Sequence, residues 1–183
     1  RATVGETVWL NVDLGSDKTR DILHATVSVK DVGPIEVFVN HWPSRREGEE
    51  ESAPKRMAAA KTVRGEVDRL LAANAEARIV IMGDLNDGSL DASLKKGLLT
   101  DELISDDHGA DMYDLVGMDK EEPRGSISHN SAWQYFDHLI VSHSLAYPGK
   151  NGLHAVSAAA VKDRRLIFHH PKYGDQPNRT FSG

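Results

Sequence analysis

The chain has 183 residues, with 22 lysines and arginines against 28 aspartates and glutamates, a net charge of −6 with histidine neutral, and no cysteine. The lack of cysteine excludes disulfides, thiolate metal sites and cysteine nucleophiles, and leaves the compartment open. The acidic balance argues against holding nucleic acid by bulk charge, though not against a nuclease that uses a divalent metal and a local basic strip.

The composition, 39% hydrophobic and 27% charged, is ordinary for a folded domain, and the length is enough for one core. No apolar run approaches the roughly 20 residues needed to span a bilayer. No signal peptide is visible, and removal of an upstream one would make a secreted or periplasmic location plausible. Residues 8–12 and 22–29 read as strands, joined by a polar turn over 13–20. Asp31-Val32-Gly33-Pro34 is a second turn, leading into an alternating strand that ends at His41. A charged loop over 45–51 precedes a helix over 52–73. Ser52 is its expected N-cap, with Pro54 in the first turn, where proline is tolerated. Met57, Ala60, Val63, Val67, Leu70 and Leu71 share one helical face, and Asn74 marks the end. The run Ile79-Val80-Ile81-Met82 then reads as a buried strand with Gly83-Asp84 as its exit, which completes a β-α-β unit. Residues 88–103 read as short helix and loop, and 106–109 as a surface loop. Residues 124–129 and 134–141 read as a hairpin around Asn130-Ser131-Ala132-Trp133, and 156–161 and 166–168 as further strands. The tail over 169–183 is rich in proline, glycine and polar residues. No repeat or interdomain linker breaks the chain, so a single domain over 1–183 is expected.

The chemistry concentrates at strand ends. If extension persists past Asp84, then Asp84 and Asn86 point the same way and Asp87 faces away. That sets a carboxylate and an amide side by side at a sheet rim, where sites of α/β proteins lie. The carboxylate can hold a metal or activate a water, and the amide can donate to a phosphate oxygen without adding repulsion. His41 closes one strand and Asp137 opens another.

Each motif taken singly has a plainer reading. Gly-Asp-x-Asn alone is most often a turn, and Gly88 and Ser89 do not match an EF-hand loop. Adjacent His169 and His170 would point to opposite faces of a strand and not share a metal. Asp106, Asp107, His108 and Asp111 read as a solvated loop. His138 and His143 read as decoration of a strand face. Arg45, Arg46, Lys55 and Arg56 form a basic strip, either a solvated loop and helix start or a track for a phosphate backbone.

Strand-His41, strand-Gly83-Asp84-x-Asn86 and aromatic-Asp137-strand, in that order, resemble the endonuclease/exonuclease/phosphatase superfamily, from about Trp9 to Gly183. The resemblance implies an α/β four-layer α-β-β-α sandwich of the deoxyribonuclease I-like type, of which 1–183 would be the C-terminal part. It implies a divalent-metal-dependent phosphoesterase acting on phosphodiester bonds, with nucleic acid or another phosphoester as substrate. His41, Asp84, Asn86 and Asp137 would be catalytic, with Asp137 orienting a later histidine. Arg20, Arg45 and Arg46 would bind substrate. Mg2+ or Mn2+ would be the cofactor, touched by Asp84, with its main ligands expected outside the chain. The family's upstream asparagine and glutamate and its closing Ser-Asp-His are not found, so the resemblance leads one to expect an incomplete catalytic domain. A phosphatase or phospholipase C-type enzyme on inositol phosphates or sphingomyelin is the alternative, and a non-catalytic binding module on the same scaffold is the rival from another class.

Overall fold

The computed structural model describes residues 1–101, 110–119, 122, 124–129, 132–147, 153, 155, 157–161 and 163–177. The first three strands, β1 (Ala2–Leu10), β2 (Ile22–Val29) and β3 (Gly33–His41), form an antiparallel meander. Helix α1 (Glu49–Ala73) crosses over to β4 (Ile79–Asp84), which lies parallel to β3. A parallel pair requires such a crossover, so the expected β-α-β unit is present. Two short strands follow, β5 (Thr100–Asp101) and β6 (Met112–Asp114). A small hairpin of β7 (Ile127–His129) and β8 (Ala132–Gln134) precedes β9 (Asp137–Ser142) and the single turn α2 (His143–Ala146). A second small hairpin pairs β10 (Ile167–His170) with β11 (Gly174–Pro177). The seven-stranded mixed sheet has the order β1-β2-β3-β4-β9-β6-β5.

The sequence pattern and the structure part at several elements. β1 starts earlier than expected and stops at Leu10, because the β2 register pairs Ala2 with Val29 and Leu10 with Ile22. Ser52 is not the N-cap of α1. Gly48 takes that position at φ 114, three glutamates in the first turn suit the helix dipole, and Ser52 lies buried inside the helix. Pro54 consequently sits in the second turn. The expected 124–141 hairpin is split. Ser126 Oγ receives the backbone N–H groups of Phe136 and Asp137, which interrupts the ladder, and the chain from Asp137 then joins β4 and β6 instead. Residues 157–161 form no strand, and 156 lies outside the described residues, as do 106–109. The tail carries the β10–β11 hairpin.

One core lies between the sheet and α1. Phe38, Ile79, Ile81 and Ile140 from the strands meet Ala59, Ala60, Val63 and Val67 of the helix, all essentially without solvent contact. Each large side chain buried in this way contributes about 1.5–3 kcal/mol. A π-helical stretch, Ser93–Leu98, adds Leu94 and Leu98. It packs closely at Gly97, where a Cβ would come within 2.8 Å of the Ala60 Cβ. On the sheet's other face Tyr113, Leu115, Val141, Leu145 and Ala146 form a second cluster. No helix among the described residues is long and apolar enough to cross a membrane.

Candidate active site

The strand order puts β3, β4 and β9 side by side, and three of the expected site residues close or open them in one row. His41 is in register with Asp84 across β3–β4, and Asp84 with Asp137 across β4–β9. His41 Nε2 lies 3.9 Å from Asp84 Oδ2, the histidine exposed and the aspartate half-buried. Residues facing each other across antiparallel strands hold their Cβ atoms about 4.5–5.5 Å apart, which makes Asp84 and Asp137 electrostatic neighbours. The Asp84 carboxyl titrates above its ordinary range. Burial is the main cause; the Asn86 N–H opposes it, Asp137 adds to it, and His41 and His138 oppose it.

Extension does not persist past Asp84. Asn86 has φ 53, in the left-handed region that asparagine tolerates, and its N–H donates to Asp84 Oδ1 at 2.9 Å. Asp84 and Asn86 are thus joined by a tight turn. The Asn86 amide is nearly buried, and its Nδ2 donates to the Trp42 carbonyl at 3.0 Å, so it ties the β4 exit to the β3 exit. The Trp42 N–H in turn donates to the Asp84 carbonyl.

Asp87 does not face solvent. It is 4% exposed, and its Oδ1 meets Arg45 Nη2 at 2.8 Å and Arg56 Nε at 2.6 Å, while Oδ2 accepts from Ser93 Oγ at 2.6 Å. Three of the four residues of the basic strip are therefore held in ion pairs. Arg56 is 1% exposed, and Lys55 pairs with Asp17 and Glu47. Arg45 is spread over the Asn86 carbonyl, Asp87, Asp91 and Glu49, with its guanidinium 4.6 Å above the Phe136 ring. Arg20 and Arg46 are exposed. A cleft of about 850 Å³ gathers Arg20, Arg45, Arg46, His41, Asp84 and Asn86, with Phe136 in its wall.

Sequence reasoning missed the groups that hold this row in place. His138 is fully buried rather than on an open strand face. Its Nε2 donates to the Asp87 carbonyl at 2.8 Å, and its Nδ1 faces Asp114 Oδ2 at 2.8 Å. Asp114 also accepts from Ser89 Oγ and the Val116 N–H. A ring protonated on both nitrogens makes both of its bonds as a donor. Burial works against that charge, but the hydrogen bond and charge of Asp114, the Asp87 carbonyl and Asp137 together raise the His138 pKa above its ordinary value. No sequence spacing announces this partner, because β6 and β9 meet only in the folded sheet. His143 begins α2 rather than lying on a strand. His169 and His170 take separate partners, Asp175 for the first and the backbone of 172–173 for the second.

The sequence profile of the endonuclease/exonuclease/phosphatase family matches residues 6–183. The chain belongs to that family. Solved structures with the same deoxyribonuclease I-like fold include the human Nocturnin catalytic domain with bound sulfate, at 12% identity and a TM-score of 0.56, covering 79% of this chain and 50% of that one. Truncated TDP2 from Caenorhabditis elegans matches at 17% identity and 0.54, covering 77% and 53%. TDP2 from D. rerio, complexed with a single-strand DNA product, matches at 16% and 0.54, covering 78% and 54%. The chain thus spans about half the length of these structures. No curated protein sequence matches it. This family member shows the fold's large mixed sheet with α1 on one face.

Among the described residues no group of three or more histidines, aspartates and glutamates is arranged to hold a metal. Asp84 in the cleft and its register neighbour Asp137, which does not line the cleft, offer two adjacent carboxylates. That donor set fits a magnesium-like cation, which takes one or two carboxylates and fills its remaining positions with water and phosphate oxygens.

Proposed function

We propose that the protein is a divalent-cation-dependent phosphoesterase that hydrolyses phosphodiester bonds, with nucleic acid as its substrate. The observation that carries this reading is the His41–Asp84 pair, 3.9 Å apart at the ends of neighbouring parallel strands, in a cleft walled by arginines. Asp84 would take the proton of the attacking water as the bond from phosphorus to the leaving oxygen breaks. Its raised pKa brings it closer to working pH, where a general base is most effective. His41 would donate from Nε2 to a nonbridging oxygen, where charge grows in the transition state. Asn86 holds the turn that sets Asp84, and the second N–H of its amide is the donor left for phosphate. Asp137, the register neighbour of Asp84, would hold the cation. Bound magnesium or manganese would neutralise charge on the phosphoryl oxygens. Arg20 and Arg46 would attract the phosphate backbone, while Arg45 acts mainly as a strut.

The test is an activity panel on DNA, RNA, inositol polyphosphates and sphingomyelin, with magnesium and after EDTA. We expect oligonucleotide cleavage that stops on chelation and returns with magnesium or manganese. Turnover of inositol phosphates or sphingomyelin without cleavage of nucleic acid would replace the substrate assignment. Oligonucleotide binding with no turnover of any substrate would favour a binding module, and full activity after EDTA would remove the cation from the reading.

A further inference from the structure

A second cleft, of about 470 Å³, lies against the first. Strand β8 is the partition between them. Ala132 lines the first cleft and Trp133 the second, as strand alternation requires, while Gln134 at the strand's end reaches both. Arg45, Glu49 and Gln134 border both, so the two clefts are continuous.

The lining of the second cleft differs in kind from that of the first. Trp133 and Tyr135 present aromatic surface, and Leu90, 74% exposed, adds an apolar lip. The Tyr135 hydroxyl donates to the Asp119 carboxylate, which holds the ring. Burial and that hydrogen bond push the hydroxyl pKa up to about 12, so the ring stays uncharged. Two cations, Arg45 and Arg124, meet two carboxylates, Glu49 and Asp91, and Arg45 is already paired with both of those acids. A balanced, aromatic cleft is poorly suited to another phosphate. It suits a flat, uncharged, polar-edged heterocycle, with Arg124 at hand for its rim.

We propose that this second cleft is a nucleobase subsite, in which Trp133 and Tyr135 take the base of a nucleotide whose phosphodiester lies at His41 and Asp84. The proposal rests on the phosphodiesterase reading above and extends it to the recognition of one base beside the scissile bond. Stacking is tolerant of sequence, so the subsite gives affinity and register rather than a strict base preference.

Tryptophan fluorescence provides a test that does not depend on turnover. The chain has three tryptophans; Trp42 is 1% exposed and Trp9 is 64% exposed on β1, away from both clefts. In the Trp9→Phe protein, thymidine and deoxyadenosine 5′-monophosphates should quench emission, and ribose 5-phosphate should not. The quenching should vanish when Trp133→Leu is added. With a dinucleotide and methyl p-nitrophenyl phosphate as paired substrates, Trp133→Leu should raise the ratio of their KM values about tenfold, within the range for losing one base stack. Equal quenching by ribose 5-phosphate, or an unchanged KM ratio, would overturn the subsite. Hydrolysis of both substrates without nucleotide quenching would sink the subsite alone. Base-dependent quenching without hydrolysis of either would support the subsite and sink the phosphodiesterase reading.

Discussion

Asp84 is held in a state the fold does not favour. Its pKa is raised chiefly by burial, so the ionised form is less stable in the folded chain than in the unfolded one. The stability it contributes is present below its unfolded pKa and is lost as pH rises through its folded pKa. Asp84→Asn should therefore lower kcat by roughly 10²–10⁴, as for a positioned acid–base group. Its melting temperature at pH 7 should match or exceed that of the parent. A variant that melts clearly lower at neutral pH would contradict the strained-carboxylate account. His138 carries the same sign for another reason, because it gains Asp114 as a partner and its folded pKa lies above the unfolded value. That stability is complete below the unfolded pKa near 6.5 and fades as pH rises through the folded pKa. His138→Gln should flatten the fall of stability with rising pH, and urea titrations across a pH series would show it. The row of His41, Asp84 and Asp137 was legible in the sequence because each sits at the end of a recognisable strand. His138–Asp114 and Asp87–Arg56 were not, because a buried ion pair leaves no periodic trace and its members lie far apart in the chain.

At the scale of elements, the turn after β4 is braced from two sides. The Asp87 carboxylate ties it to Arg45 of the turn before α1, to Arg56 on α1 and to Ser93 of the π-helical stretch, while the Asp87 carbonyl accepts from His138 on β9. Removing one member of a buried ion pair leaves the other charge without compensation. Asp87→Ala should therefore cost about 3–5 kcal/mol, measured by chemical denaturation. A loss under about 1 kcal/mol, the value of an exposed pair, would show that water reaches Arg56. Strands β2, β3 and β4 and the span of α1 could be read from apolar alternation, helical spacing and turn residues. The start of α1 could not, because Gly48 at positive φ competes with Ser52, and the serine hydroxyl turns back to the Gly48 carbonyl instead of capping. The true partner of β9 could not be read either. Asp137–Ser142 looks like the return arm of a local hairpin, but its apolar residues pair with Val80, Ile81 and Met82, far away in sequence. Local pattern carries no information about such distant pairing. Long-range burial decides it.

Among the described residues, one long edge of the sheet is open. β1 ends the seven-stranded order, and among the described residues no strand pairs with its outer side. It runs from Ala2 to Leu10, nearly all exposed, with Val4 at 70% and Trp9 at 64%, and with Glu6 as its one charged side chain. The opposite edge is β5, only two residues long. A long, weakly charged edge with exposed apolar residues is a template for strand addition from another chain, and natural edges usually carry lysine or a bulge to prevent it. The register shift between Val4 and Thr7 supplies part of that protection. The net charge of −6 offers only general repulsion, which salt screens. The 183-residue chain should therefore self-associate as concentration and salt rise, seen as an increasing mean mass in sedimentation equilibrium. Val4→Lys with Trp9→Lys should abolish that increase. These substitutions bring the net charge closer to zero, which by itself favours association, so a monomeric double variant would locate the contact at the β1 edge rather than in bulk charge. A parent protein that stays monomeric at high salt, or a variant that associates as readily as the parent, would show that this edge is protected in solution.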